Sequence, residues 1–375
     1  MARTRDTDAC PGALQVHHAA DGALVRVRTP GGMISAGQMA TLAQASAAFG
    51  SATLELTARA NVQIRGIRST EATTAVAEAV TAAGLLPSAT HERVRNIVAS
   101  PLSGRIGGRV DVRGWVADLD AAIRAEPALV QLPGRFWFSV DDGRCDVSVL
   151  AADVGAYVLD DAVALLLAGR DTGVRLQLAD VVETLVAVAV RFAKIRGKAW
   201  RVAELADPGV LLPGVTLSPA PLSTVIAPPV GWIEQDDSRV ALGAAVPLGV
   251  LSARVAEHLA TIEAPLVITP WRSVLICDLN DAVADAALRV LAPMGLVFDE
   301  NSPWLAISAC VGSPGCSQSV ADVRADAAAV AQTAGAGVPY QRRHYVGCER
   351  ACGSLPTGEV LVATGDGYRQ LRTQP

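Results

Sequence analysis

Lysine is almost missing from this chain. Only Lys194 and Lys198 stand among 32 basic residues, so nearly every cation is an arginine. Aromatic residues amount to 4 % and histidines to five. No apolar run reaches the roughly 18 residues that a membrane-crossing helix needs. The longest, over residues 181–190, is interrupted by Glu183 and closed by Arg191. The opening stretch MARTRDTDACPG has no apolar segment behind its charges, which predicts no secretory signal and a cytoplasmic location. A net charge of −5 gives no argument for a nucleic-acid partner. With 51 % hydrophobic and 18 % charged residues the chain is not disordered, and 375 residues exceed one ordinary core, so two or three domains are expected.

The four C-terminal cysteines organise the rest. Cys310 and Cys316 lie in ACVGSPGC, Cys348 and Cys352 in HYVGCERAC. Two close pairs of thiolates suit an iron–sulfur cube or a structural zinc. The first pair is wider than the two- to four-residue gap usual for zinc, which favours a [4Fe–4S] cluster. Glycine-rich loops let main-chain N–H groups approach sulfur. Buried or disulfide-paired cysteines are the plain alternative. Cys10, Cys145 and Cys277 have no partner spacing and read as structural.

Hydrophobic periodicity gives an α+β chain with an internal repeat. Residues 1–13 read as a ragged start, followed by a strand near residues 22–27. A helix over 35–49 begins at Ser35, and residues 53–66 read as strand, turn, strand. A helix over 71–83 ends at Gly84. The same order returns about 215 residues later: residues 238–252, a helix at 252–260, residues 266–278, and a helix at 282–291 before Gly295. The segment from Val98 lines up with that from Ser308. The expected domains are two ferredoxin-like half domains, 14–86 and 230–300, and two larger repeat domains, 87–229 and 301–375. Apolar helices are expected at 161–167 and 180–191, and a short one at 201–205. A proline-rich linker is expected over 211–229, and a helix from about Val320 to Thr333 capped by Ser317.

Arginines cluster on this frame. Residues 59 to 113 hold eight arginines against four acids. Arg59, Asn61, Gln63 and Arg65 alternate and so share one face if the strand runs through them. Arg95 with Asn96, and Arg135, add further donors. Converging guanidiniums suit bidentate contacts to several carboxylates or phosphates, although a solvated strand face explains any single arginine.

LELTARANVQIRGI, VRNIVASPLSG, LPGRFWFSVDDG and CVGSPGC…HYVGCERAC resemble, in order, the motifs of the sulfite/nitrite reductase superfamily over residues 18–365. Within it, the short length, the GSPGC loop and RNIVASPLSG look most like the precorrin-3B synthase family. The resemblance implies ferredoxin-like half domains flanked by larger α/β repeat domains around a tetrapyrrole cleft. It implies a [4Fe–4S] cluster on Cys310, Cys316, Cys348 and Cys352, with Cys352 facing the tetrapyrrole. It implies contacts to substrate or haem carboxylates from Arg59, Arg95 and Arg135; Asn61, Gln63, Arg65 and Asn96 join them as tetrapyrrole-binding candidates by their place in the same polar sets. Where reductases have an LPRKFK-type segment this chain has LPGRFWF, so Arg135 keeps one cation and Trp137 replaces the other. The implied reaction is O2-dependent hydroxylation of precorrin-3A at C20 with γ-lactone formation. It needs an electron donor and a non-haem iron beside the cluster; sirohaem belongs to the alternative, a sulfite or nitrite reductase. His344, four residues before Cys348, reads as a neighbour of the cluster or as an ordinary strand histidine.

Overall fold

The computed structural model describes residues 10–215, 220–222, 228–334, 342–354 and 358–374. The chain forms two compact units. One holds Arg28–Gly32 and Leu86–Ala227 with the residues up to Gly12; the other holds Ala13–Val27, Met33–Leu85 and Pro228–Pro375.

In chain order, β1 (His17–Ala19) and β2 (Gly22–Val27) form a hairpin, and β3 (Met33–Ile34) follows a glycine turn. Helix α1 (Ala36–Phe49) begins at Ser35 as expected. The Ser35 hydroxyl accepts the Gln38 N–H, and the Gln38 carboxamide accepts the Ser35 N–H. Strands β4 (Thr53–Leu56) and β5 (Val62–Ile67) pair antiparallel, and α2 (Thr70–Ala82) is capped by Ser69. Gly84 takes φ 72°, and the Leu85 N–H returns to the Val80 carbonyl, closing the helix.

The next segment supplies most of the other unit: β6 (Ile97–Ala99), α3 (Arg113–Ala125), β7 (Phe138–Asp141), β8 (Val154–Val158), β9 (Val163–Leu167), β10 (Arg170–Leu176), α4 (Val181–Ile195) and β11 (Ala220–Pro221). They form one sheet in the order β11-β10-β9-β8-β7-β6, parallel from β6 to β8 and antiparallel beyond. The helix expected at 161–167 is instead β9, buried along its whole length in the middle of that sheet. A five-residue apolar run has no period that separates a buried strand from a helix. Residues 10–12 are not ragged: they are buried, with the Cys10 thiol donating to the Gly134 carbonyl. The expected short helix at 201–205 is a 3₁₀ turn, Val202–Glu204. Of the expected linker, residues 216–219 and 223–227 lie outside the described residues.

The duplicate then runs through β12 (Gly231–Glu234), β13 (Val240–Ala245), β14 (Val250–Ser252), α5 (Ala253–Ala260), β15 (Leu266–Ile268), β16 (Ser273–Leu279) and α6 (Asp281–Leu291). Its turn repeats the first one bond for bond. The Thr57 N–H donates to the Asn61 carbonyl and the Thr269 N–H to the Ser273 carbonyl, both at 2.9 Å. Ala60 (φ 54°) and Arg272 (φ 58°) occupy the same left-handed position. Arg272 therefore matches Ala60, and Trp271 matches Arg59. The halves also exchange a strand: β14 pairs with β4, and β3 pairs with β15. Each five-stranded half-domain sheet is completed by the other half.

The last elements are β17 (Ile307–Ala309), α7 (Val323–Thr333), β18 (Arg343–Val346), β19 (Gly358–Thr364) and β20 (Gly367–Gln374). Strands β17, β18 and β19 are parallel and β20 is antiparallel, the pattern of β6 to β9 again. Helix α7 starts later than expected, and its cap is Asp322, whose carboxylate accepts the Ala325 N–H.

Candidate functional site

The cysteine loops leave the carboxyl ends of adjacent parallel strands, Cys310 directly after β17 and Cys348 two residues after β18. Carboxyl ends of parallel strands are where such sheets bind ligands. All four cysteines are free thiols; Cys310, Cys316 and Cys348 are half-buried and Cys352 is exposed. Main-chain bonds tie the first loop to the end of β18. The Cys310 N–H donates to the Tyr345 carbonyl at 2.9 Å, and the Gly347 N–H donates to the Cys310 sulfur at 3.3 Å. A Cβ on Gly347 would lie 1.8 Å from the Ser319 hydroxyl, so only glycine brings that N–H to the sulfur.

Two side chains fix the second loop. His344 is buried; its Nε2 lies 2.9 Å from the Cys352 carbonyl and its Nδ1 2.8 Å from the Ser308 hydroxyl. A carbonyl only accepts, so Nε2 carries the proton and the Ser308 hydroxyl donates to Nδ1. Arg272, also buried, donates to the Gly353 carbonyl. Burial, with repulsion from Arg324, lowers its pKa to about 10, while Glu55 opposes the shift.

The first loop is tied to the half-domain strand. Gln63 and Arg65 share a face of β5, as expected, but their partners are protein groups. The Arg65 guanidinium pairs with both oxygens of Asp21 at 2.9 and 3.0 Å and donates to the Gly315 carbonyl at 3.1 Å. Glu55, opposite Gln63 on β4, accepts from the Gln63 carboxamide and from Arg324 of α7. Gln63 in turn accepts from Arg26. Arg59 and Asn61 do not continue this row. The left-handed Ala60 puts both in the turn before β5, with Arg59 half-buried and Asn61 buried.

In the other unit, Arg95 is buried against Asp120, with bonds of 2.6 and 3.1 Å; Arg124 shares the same carboxylate. The Asn96 carboxamide donates to the carbonyls of Arg93, Gly134 and Phe136, holding the LPGRFWF segment to β6. Arg135 is exposed, its Cζ 5.3 Å from the centre of the Trp200 ring. Trp137 is buried with the Arg201 guanidinium 5.9 Å from its ring. That cation is neutralised: Asp153, wholly buried, takes Arg201 Nε at 2.7 Å, and also accepts the Trp137 and Val202 N–H groups. Burial raises the Asp153 pKa and Arg201 opposes the rise.

This unit also repeats the cysteine frame in oxygen. The Asp142 N–H donates to the Ser100 hydroxyl at 3.1 Å, as Gly347 does to Cys310. Around it Asp141 accepts four main-chain N–H groups, from Gly143, Cys145, Val147 and Ser148. Asp146 accepts the Ser100 hydroxyl at 2.6 Å, and burial and the Asp141 charge push its pKa up to about 7. Burial and the same acids push Cys145 up to about 11. In the sequence this acidic loop is marked only by the doubled Asp in SVDDGRCD, where the duplicate has cysteines.

Four thiols on two adjacent loops are a donor set that fits a four-iron cube, which takes each thiolate on a separate iron, and the Gly347 N–H points at one of the sulfurs. Among the described residues no ligand set comes together for the mononuclear iron that the resemblance implies. His91 bonds Ser88, Thr90 and the Glu126 carbonyl, and His258 the Arg254 carbonyl. His17 and His18 lie on the exposed β1.

Comparisons with known proteins agree with this frame. Residues 17–82 match the nitrite/sulfite reductase ferredoxin-like half domain family. A precorrin-3B synthase from Sinorhizobium sp. is 26 % identical over 96 % of this chain and 81 % of its own length. The chain resembles precorrin-3B synthase. Its fold is that of the NirA protein of Mycobacterium tuberculosis, with a TM-score of 0.77 at 21 % identity over 93 % of this chain and 77 % of that one. The α+β architecture with duplicated half domains is thus that of the nitrite/sulfite reductases. No helix among the described residues is long and apolar enough to cross a membrane.

Proposed function

We propose that this protein is a precorrin-3B synthase, which hydroxylates precorrin-3A at C20 with O2 and closes a γ-lactone. The observation that carries this choice is the pair Trp137 and Arg201. Where a small oxyanion would need a second free cation there is an indole, and the guanidinium lying over it is spent on Asp153. A sulfite or nitrite ion bound there would lack a charge-assisted contact worth about 1.5–3 kcal/mol. A large tetrapyrrole with many carboxylates does not depend on that one contact. The similarity to a precorrin-3B synthase over nearly the whole chain supports the reading.

Cys310, Cys316, Cys348 and Cys352 would hold a [4Fe–4S] cluster, which supplies single electrons when bound. Arg59, Asn61 and Arg135 are the side chains we assign to the substrate carboxylates. Gln63, Arg65, Arg95 and Asn96 belong to the same set by position, but their contacts make them holders of the frame: Arg65 secures the loop before Cys316, and Asn96 secures the segment bearing Arg135. An electron donor completes the reaction, in a cytoplasmic setting.

The test is purification without air, with iron, sulfide and pigment analysis, then assay with precorrin-3A, O2 and a reductant. Brown protein without sirohaem bands that converts precorrin-3A supports the proposal. Sirohaem absorption with multi-electron reduction of sulfite or nitrite, and no conversion of precorrin-3A, assigns the alternative.

A further inference from the structure

Helix α4 is covered on one side only. Val181, Leu185, Val188, Ala189 and Phe192 are buried, with Phe192 stacked at 5.0 Å on Phe136 beside the sheet. The opposite face borders an open groove of ≈ 930 Å³ between α3 and α4, floored by Val182, Val186 and Val190. The face continues into Ile195, which is 45 % exposed, and Leu178, just ahead of the helix, is 50 % exposed.

The charges on this face are Glu183, Arg191 and Lys194. Many of the described arginines are paired with an acid, but among the described residues none of these three has an ion-pair partner. Their order is self-complementary. Glu183 lies four residues before Ala187, and Arg191 four residues after it. Glu183 and Arg191 are therefore separated by about 12 Å along the axis, on the same side as Ala187. A second copy of the helix crossing antiparallel at Ala187 would set each Glu183 against the other copy's Arg191. The small Ala187 side chain allows close approach there, and the valines would bury one another. Such a contact is isologous and closes on itself.

We propose that this face of α4 is a self-association surface, occupied by α4 of a second copy of this chain in antiparallel register. A parallel contact would oppose Glu183 to Glu183, and an acidic or basic foreign helix would satisfy only one end of the face.

Sedimentation velocity of the full chain over a range of concentrations tests this. The native protein should dimerise, and added salt should weaken the dimer. Glu183→Arg and Arg191→Glu should each raise the dissociation constant about ten-fold or more, because like charges then meet at both ends of the contact. The double variant E183R/R191E should restore dimerisation, while Val186→Asp should abolish it. Circular dichroism checks that each variant is folded. A native monomer at every concentration gives the groove to another occupant and overturns the proposal. So do single variants that dimerise as well as the native chain, or a double variant that fails to recover.

Discussion

Arg65 reaches across 250 residues of sequence to the carbonyl of Gly315, the residue before Cys316. An arginine that reads as a ligand contact is also a strut of the cysteine loop. Asp21 and Glu55 neutralise it, so its charge is already committed within the protein.

Replacing Arg65 with Met should therefore lower the iron and sulfide content, although Arg65 is no ligand of iron. It should also cost about 3 kcal/mol in unfolding free energy, since Asp21 and Glu55 lose their buried partner. Denaturant unfolding and metal analysis read the two effects. A variant with full iron content and native stability, but weaker tetrapyrrole binding, would return Arg65 to the ligand.

Arg59 and Arg135 should behave in the opposite way. Arg59→Ala and Arg135→Ala are expected to weaken tetrapyrrole binding about ten-fold each, the size of one charge-assisted contact, and to leave the cluster and the fold unchanged. Asn96→Ala removes three bonds to main-chain carbonyls, so it should destabilise the unit first. Titration of the tetrapyrrole by absorbance, beside thermal melts, separates the two classes. Equal affinity in native protein and both arginine variants would remove them from the site.

Asp146 should make stability depend on pH. Its native pKa of about 7 lies above the ordinary 3.8, so the native state holds the proton more tightly than the unfolded chain. That stabilisation is complete below about pH 4 and is lost as pH rises through about 7. Asp146→Asn keeps an acceptor for the Ser100 hydroxyl and cannot ionise. The difference in unfolding free energy between the variant and native protein should therefore grow across this window. A constant difference would show that Asp146 does not titrate there.

Much of the frame is legible in the sequence because short-range chemistry fixes it. Ser35, Ser69, Ser252 and Asn280 cap their helices with their own side chains, and Gly84 and Gly295 both close theirs with positive φ. The duplication shows in LTARANVQIRG against ITPWRSVLICD, where identical turns demand similar residues. Ligand contacts are harder to read because counter-ions are remote. Arg65 meets Asp21 from 44 residues away, and Arg95 meets Asp120 from 25. A count of charges over residues 59–113 sees neither acid, nor Glu55. The row from Arg59 to Arg65 fails for a local reason, since one left-handed residue, Ala60, ends the alternation. Strand β9 and the cap of α7 are two further differences. Apolar runs of five residues carry no period, and Asp322 displaces Ser317 because it sits at the true start of the helix.

The most direct measurement is incubation of the cluster-loaded protein with precorrin-3A, a reductant and ¹⁸O-labelled dioxygen, followed by mass spectrometry of the tetrapyrrole. A product carrying the label from dioxygen is expected from native protein and should be lost in Cys348→Ser. Unaltered precorrin-3A with an intact cluster, or product formed equally without O2, would contradict it.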